Sequence, residues 1–412
     1  MPSKKIIGYL KIRSFRRLRI IRCGFSAKEN IMLKDMEEYV IALRRKFHKI
    51  PEISLKEKET SEYIRRELET LGVSYESVGE YGTVASIKGD LPGKIYAFRS
   101  DIDALPINED TSLEFKSEHE GCMHACGHDG HIAILLTFAR ELAAMKSELK
   151  GTVYLCFQQA EEIGKGHREI IDYLKTVGKI ETMVSSHLWA DIPVGKISLQ
   201  AGAVMAGTTS FHLTVTGKSC HGSRPDQGID PINAGAMIVG EAFRIKDREF
   251  SPLQHNTLSF GLFHSGTATN IIPDQAELGG TMRFFSDAER TQLFSVLDRS
   301  CKAAKILTGA KAEWKPLVGL PPVVNDPASI AKALPSAQAV FGDKNVIRFE
   351  KIMGADNYGC YLQEFPGFYA FIGIRNEEKG ICHAHHSSKF DMDESALPNA
   401  VRFYIDFIRK NM

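Results

Sequence analysis

Met123-His124-Ala125-Cys126-Gly127-His128-Asp129-Gly130-His131 places three histidines, a cysteine and an aspartate within nine residues, and an apolar helical pattern follows at once. That density of imidazole, thiol and carboxylate is foreign to a core segment and too short for a disulfide framework. It suits a metal centre. Cys126 and His128 stand two apart, so in an extended segment both point the same way, and Gly127 between them permits a tight turn. Thiolate, imidazole and carboxylate together suit Zn, Co, Ni or Mn. A structural zinc site calls for paired cysteine knuckles, whereas Cys122 and Cys126 supply only one.

Working outward, short apolar runs at 83–88, 94–99, 152–158 and 182–187 alternate with helical patterns at 132–146 and 167–177. This alternation predicts an α/β fold, a mostly parallel sheet flanked by helices, with the site beyond the carboxyl ends of the strands. Polar clusters fall where that rule puts them. Arg99-Ser100-Asp101-Ile102-Asp103 follows one strand, Glu161-Glu162 another, His187 closes a third, and His383, His385 and His386 come after the apolar run 369–374. Consecutive side chains at a strand end point to opposite sides, so one glutamate can bind metal while its neighbour stays free as a general base. Two adjacent glutamates elsewhere would read as a solvated surface.

Before this core, 36–50 and 57–71 read as helices, the first closed by Pro51. His48, in its last turn, is expected at the surface or behind the ligands, interacting with the helix dipole. From 197 to 315 strand-like segments (210–216, 257–264, 276–285) interleave with helices (231–245, 287–307), predicting an inserted α/β sandwich. The stretch 314–322, rich in Pro and Gly, reads as the return linker, and a helix at 395–410 closes the chain. Within the insertion, Gly217-Lys218-Ser219-Cys220-His221-Gly222 presents one imidazole able to hold an oxyanion. Asn270 and Arg283 are polar residues in apolar strand contexts, and an arginine there suits a substrate carboxylate or a structural ion pair.

The 412 residues exceed what one core comfortably fills, and 43% hydrophobic with 25% charged residues is ordinary for a globular enzyme. A net charge of +1 gives no reason to invoke nucleic acid, and no apolar run is long enough for a transmembrane segment. Eight cysteines without repeating spacing fit reduced thiols and a cytoplasmic protein. Residues 1–31 carry nine Lys or Arg against the single acid Glu29, and read as a basic extension without regular order.

From about residue 37 onward the sequence resembles the aminoacylase/carboxypeptidase-type metal-dependent amidohydrolases, which include hippurate hydrolase, indole-acetyl-amino-acid hydrolases and N-acetyl-diaminopimelate deacetylase. The resemblance rests on RRKFHKIPEIS, RSDIDALPI, MHACGHDGH, QQAEE, SSHLW, GKSCHGSRPDQGIDPI, GTATNIIPD, GGTMR and HHSSKFDMDE in this order. It implies a catalytic domain (32–196 and 316–412) holding two divalent metal ions (Mn, Zn, Co or Ni), and an inserted lid (197–315) through which a homodimer forms. Carried over position by position, the metal ligands fall on Cys126, His128, Glu162, His187 and His386, with His385 the alternative to His386. The general base falls on Glu161, and Asp103 orients a ligand. His221 reaches the partner subunit's site, and Asn270 and Arg283 bind substrate. The implied reaction is hydrolysis of N-acyl amino acids; a dipeptidase or a non-catalytic binding protein on the same scaffold are the alternatives. Three departures stand out: Gln159 and Ser388 replace prolines, and Met353-Gly354-Ala355-Asp356-Asn357-Tyr358 replaces a substrate-bordering MGSEDF loop.

Overall fold

Met36, Val40, Leu43 and Phe47 recur at helical spacing in the helix Ala27–Lys49 and all four are buried. The computed structural model describes residues 27–412. The reading of a basic arm over 1–31 therefore falls almost wholly outside the described residues, and its last five residues belong to this helix.

The principal sheet has eight strands in the spatial order Ser74–Ser77, Thr83–Lys88, Lys150–Gln158, Leu91–Asp101, Ile180–Pro193, Gly367–Arg375, Ile197–Ser198, Val346–Ile347. Its four central strands run parallel. Antiparallel pairings flank them, so the sheet is parallel at its centre and mixed as a whole. Burial accounts for the central sequences: Gly367–Ile374 is buried at every position, as expected where helices cover both faces. One face packs on His128–Ala144, Pro327–Phe341 and Ala396–Asn411, with Ala27–Lys49 outside them. The other receives His167–Thr176 and Tyr358–Glu364. Gly130 lets the helix His128–Ala144 approach the sheet, because a Cβ there would lie 2.4 Å from Leu188 Cδ1.

A second, four-stranded antiparallel sheet is ordered Thr257–Ser265, Gln275–Phe284, Gly207–Thr216, Lys311–Leu320. Helices Pro231–Glu249 and Asp287–Thr308 cover it, started by Asp230 and Ser286, whose side chains accept backbone N–H bonds. Its apolar clusters draw only on residues between Phe211 and Trp314. The expected return linker at 314–322 is instead mostly strand. Trp314 packs on Phe211 and Phe294, and the bulge between Pro316 and Gly319 absorbs the residues that suggested a loop. The second sheet thus spans 207–320, beyond the expected end at 315, while Ile197–Ser198 belongs to the principal sheet.

Candidate metal centre

Strand register fixes the site. Asp101 pairs with Gln158, Arg99 with Ser185 and His187 with Phe371, so two strand ends and His187 lie level. His187 does not end its strand as the sequence suggested; the strand runs on to Pro193, past the end of the neighbouring strand Leu91–Asp101. Nor do Cys126 and His128 share an extended segment. Gly127 adopts φ +88°, a left-handed conformation suited to glycine, and His128 begins the helix directly after it. Glu161 and Glu162 sit in a turn beyond Gln158, and both reach His128 rather than diverging.

Donor atoms of Cys126, His128 and His187 lie within 4.8 Å of one another, as do those of Cys126, Glu162 and His386, and those of His128, Glu161 and Glu162. Cys126, His128 and Glu162 each belong to two of these sets, so the sets are linked through shared donors. Cys126 Sγ lies 3.6 Å from His187 Nε2. Glu162 Oε1 lies 3.5 Å from His386 Nε2 and 3.9 Å from His128 Nε2. Hydrogen bonds behind the rings aim them. His128 Nδ1 is 2.8 Å from the carbonyl of Asp103, and His187 Nδ1 is 2.8 Å from that of Leu188. Donation through each Nδ1–H leaves both Nε2 lone pairs facing the cluster. Asp103 Oδ2 accepts from Ser54 and from the N–H of Glu162. His386 holds φ +62° and donates its N–H to Ala125, tying the last donor to the Cys126 turn.

Divalent metal suits this donor set. Glu162 Oε1 is buried and accepts no hydrogen bond, an expensive state for a carboxylate unless a cation faces it. Burial and the neighbouring Glu162 push the Cys126 thiol up, and burial with the charges of His131 and His385 pushes His187 down. Burial, then Asp356 and Glu162, raise Glu161 well above the carboxylate range against the pull of Arg99. Positive charge at the cluster would counter the electrostatic contribution to the Cys126 and Glu161 shifts.

His131, His385 and His48 are otherwise engaged, and His124 is not. His131 binds Asp101 through Nδ1 (2.6 Å) and accepts the Leu188 N–H at Nε2 (3.0 Å). His385 Nε2 accepts from Ala190. His124 is buried with neither ring nitrogen partnered, and burial pushes it down to about 3. His48 is wholly buried, not at the surface, and binds Asp129 (2.8 Å) in place of helix carbonyls. His221, Asn270 and Arg283 lie in the 207–320 unit and in none of the donor sets. His221 is exposed and pairs with Ile271, directly after Asn270, while burial lowers the half-buried Arg283.

Residues 97–410 match the profile of the Peptidase family M20/M25/M40. The chain belongs to this family. Thermostable carboxypeptidase 1 of Saccharolobus solfataricus is 37% identical over 89% of this chain and 93% of its own length. An N-acetylcysteine deacetylase of Bacillus subtilis is 36% identical over 90% and 97%. The crystal structure of the Bacillus subtilis YXEP protein, described as a dinuclear metal binding peptidase of the M20 family, superposes with a TM-score of 0.81. It is 32% identical over 91% of this chain and 98% of its own. The protein is accordingly a metal-dependent hydrolase of the amidohydrolase kind.

Within this M20 scaffold, Asp356 and Asn357 of the altered loop at 353–358 are buried. Arg99, itself buried, donates Nη2–H to Asn357 Oδ1 (3.0 Å) and pairs with Asp356 (3.3 Å) and Asp101 (2.6 Å). The Asn357 N–H reaches Glu161 Oε1 at 3.3 Å. Gln159, in place of proline, accepts the N–H groups of Tyr81 and Gly82. Sequence reasoning gave no role to Arg99 or Asp101. The available signal was two charges closing an otherwise apolar strand, where burial demands partners.

Proposed function

We propose that the protein hydrolyses N-acyl amino acids, releasing a carboxylate and a free amino acid, with Cys126, His128, Glu162, His187 and His386 holding two divalent ions. The observation that carries this reading is the Glu161 carboxylate, whose oxygen lies within 4.8 Å of donor atoms of His128 and Glu162. Ions held there would supply Lewis acidity toward the amide carbonyl and make an attacking water more acidic. Glu161 takes the proton of the attacking water and passes it to the amide nitrogen as the C–N bond breaks, leaving the acyl carbon as carboxylate. The N–H of Asn357 fixes one Glu161 oxygen. His128 and His187 keep their Nδ1 protons on backbone carbonyls throughout.

The 207–320 unit completes the proposal as a lid and dimerisation domain. Its edge strand Thr257–Ser265 exposes Leu262 and Phe263, an unusual choice for an unpaired edge and a suitable one for pairing with a second copy. From that position His221 is proposed to hold the oxyanion in the partner's site, with Asn270 and Arg283 contacting substrate. The similarity to a carboxypeptidase favours a second reading, in which the acyl group is a peptide.

Hydrolysis of acetyl-, benzoyl- and peptidyl-amino acids by Mn-, Zn-, Co- and Ni-loaded protein tests both readings. Preference for short acyl groups supports the first, and preference for longer peptides the second. Glu161→Gln should keep its metal and lose about 10²–10⁴-fold in turnover. Wild-type turnover in that variant would remove Glu161 as the base.

A further inference from the structure

We propose that Glu57 is the positioning residue of the general base, an inference that rests on Glu161 being that base. Glu57 is wholly buried ahead of the helix Lys58–Thr70. Its Oε1 accepts the N–H of Ala160 at 2.7 Å, a contact between residues 103 apart in sequence. Ala160 holds φ +56°, a left-handed conformation that side chains other than glycine's resist. Glu161 and Glu162 follow directly.

Lys165 N–H to Ala160 O and Gly164 N–H to Glu161 O, both 2.8 Å, close this turn on itself, and Asp103 Oδ2 accepts the Glu162 N–H at 3.0 Å beyond the base. Glu57 is the side chain that holds the turn ahead of Glu161, at the Ala160 N–H. Its second oxygen has no hydrogen-bond partner. Among the described residues, left-handed backbone outside glycine occurs only at Leu55, Ala160 and His386. Leu55 stands two residues before Glu57, so strained backbone lies on both sides of the contact. Glu57 belongs to none of the donor sets and acts only through the peptide before Glu161. A small rotation of that peptide swings the base carboxylate away from the attacking water.

Steady-state kinetics and metal analysis of the metal-loaded full chain test this. Glu57→Ala should lower kcat about 10–100-fold, the range expected when a reacting group is misplaced by about 1 Å, with KM and bound metal unchanged. Glu57→Gln keeps an acceptor oxygen and should restore kcat to within about threefold of wild type. Adding Ala160→Gly to Glu57→Ala should recover part of the loss, because glycine holds a positive φ unaided. Ala160→Val, with Glu57 intact, should reproduce the kcat loss and guards against Glu57→Ala failing to fold. Wild-type kcat in Glu57→Ala or in Ala160→Val overturns the proposal, as does a loss shared equally with KM and metal content. Wild-type turnover in Glu161→Gln would instead overturn the base on which the proposal rests.

Discussion

Replacing Arg44 with methionine tests whether the metal-bearing turn is pinned to the first helix by a buried charge. The Arg44 side chain is fully buried. Nε donates to Asp129 Oδ2 at 2.9 Å, Nη2 to Asp391 at 3.0 Å and Nη1 to Glu394 at 3.2 Å, while the guanidinium lies 4.8 Å from the Phe115 ring centre. Asp129 follows His128 and is equally buried, with His48 as its other partner. Methionine roughly conserves the long unbranched shape but removes the charge, leaving Asp129 to His48 alone. Asp391 and Glu394 are partly exposed and can rehydrate. Removing one member of a buried pair costs about 3–5 kcal/mol. With an unfolding entropy of about 2.1 cal/mol/K per residue, a chain of this size loses about 1.2 °C per kcal/mol, so Tm should fall by about 3–6 °C. The pH dependence has a definite sign. Burial opposes ionisation of Asp129, but Arg44 and His48 outweigh it and hold the carboxyl far below its usual range. The stability this gives is present above the unfolded pKa of about 3.9 and is lost as pH falls through the folded value. The deficit of the variant should therefore be largest near neutrality and shrink below about pH 4. Thermal melts in EDTA keep metal linkage out of the comparison. Arg44→Met/Asp129→Asn should regain at least half of the loss, since the asparagine side chain is uncharged and can still accept from His48. A deficit under about 1 °C at pH 7, or a double variant no better than the single, refutes the reasoning.

Cys126→Ser should weaken metal binding by at least about tenfold, because one donor shared by two sets is exchanged for a poorer ligand. Metal analysis after dialysis reads this, and two tightly held equivalents would contradict it. Leu262→Asp on the exposed edge of the second sheet should shift the proposed dimer toward monomer in light scattering; an unchanged mass would exclude this edge as the interface. Burial, only partly offset by backbone hydrogen bonds from Glu57, Ala160 and Leu55, raises Glu57 to about 7. Its contribution to stability is complete below the unfolded value near 4.5 and is lost as pH rises through 7. Glutamine mimics the protonated form, so metal-free Glu57→Gln should gain about 2–3 kcal/mol on wild type between about pH 4.5 and pH 8. A difference that does not change with pH would count against a buried, titrating Glu57.

The elements were readable in the sequence wherever one periodicity ran unopposed. The strands Thr83–Lys88 and Lys150–Gln158 and the helix Asp287–Thr308 match their sequence patterns within two residues. The strand Lys311–Leu320 was not readable, because Pro316 and Gly319 are residues that normally punctuate a loop. Here they fall at a bulge on an edge strand, a place where a missing N–H and a missing side chain are tolerated. That tolerance depends on the pairing partner, which no local pattern contains.

The candidate donors announce themselves in part. Residue type marks the clusters at 123–131, 161–162, 187 and 383–386, and the family resemblance chooses Cys126, His128, Glu162, His187 and His386 among them. The groups that aim them do not announce themselves. Arg44 meets Asp129 across 85 residues and Asp391 across 347, and Glu57 meets Ala160 across 103. An arginine in an amphipathic helix and a glutamate before one look like ordinary surface residues until the packing partners are known. The same division separates the two kinds of backbone strain that shape the site. Gly127 advertises its positive φ by being glycine, whereas Ala160 and His386 hold theirs only because distant groups enforce it. Chemistry-bearing side chains can thus be read one at a time, while the strain that orients them is a property of the assembled fold.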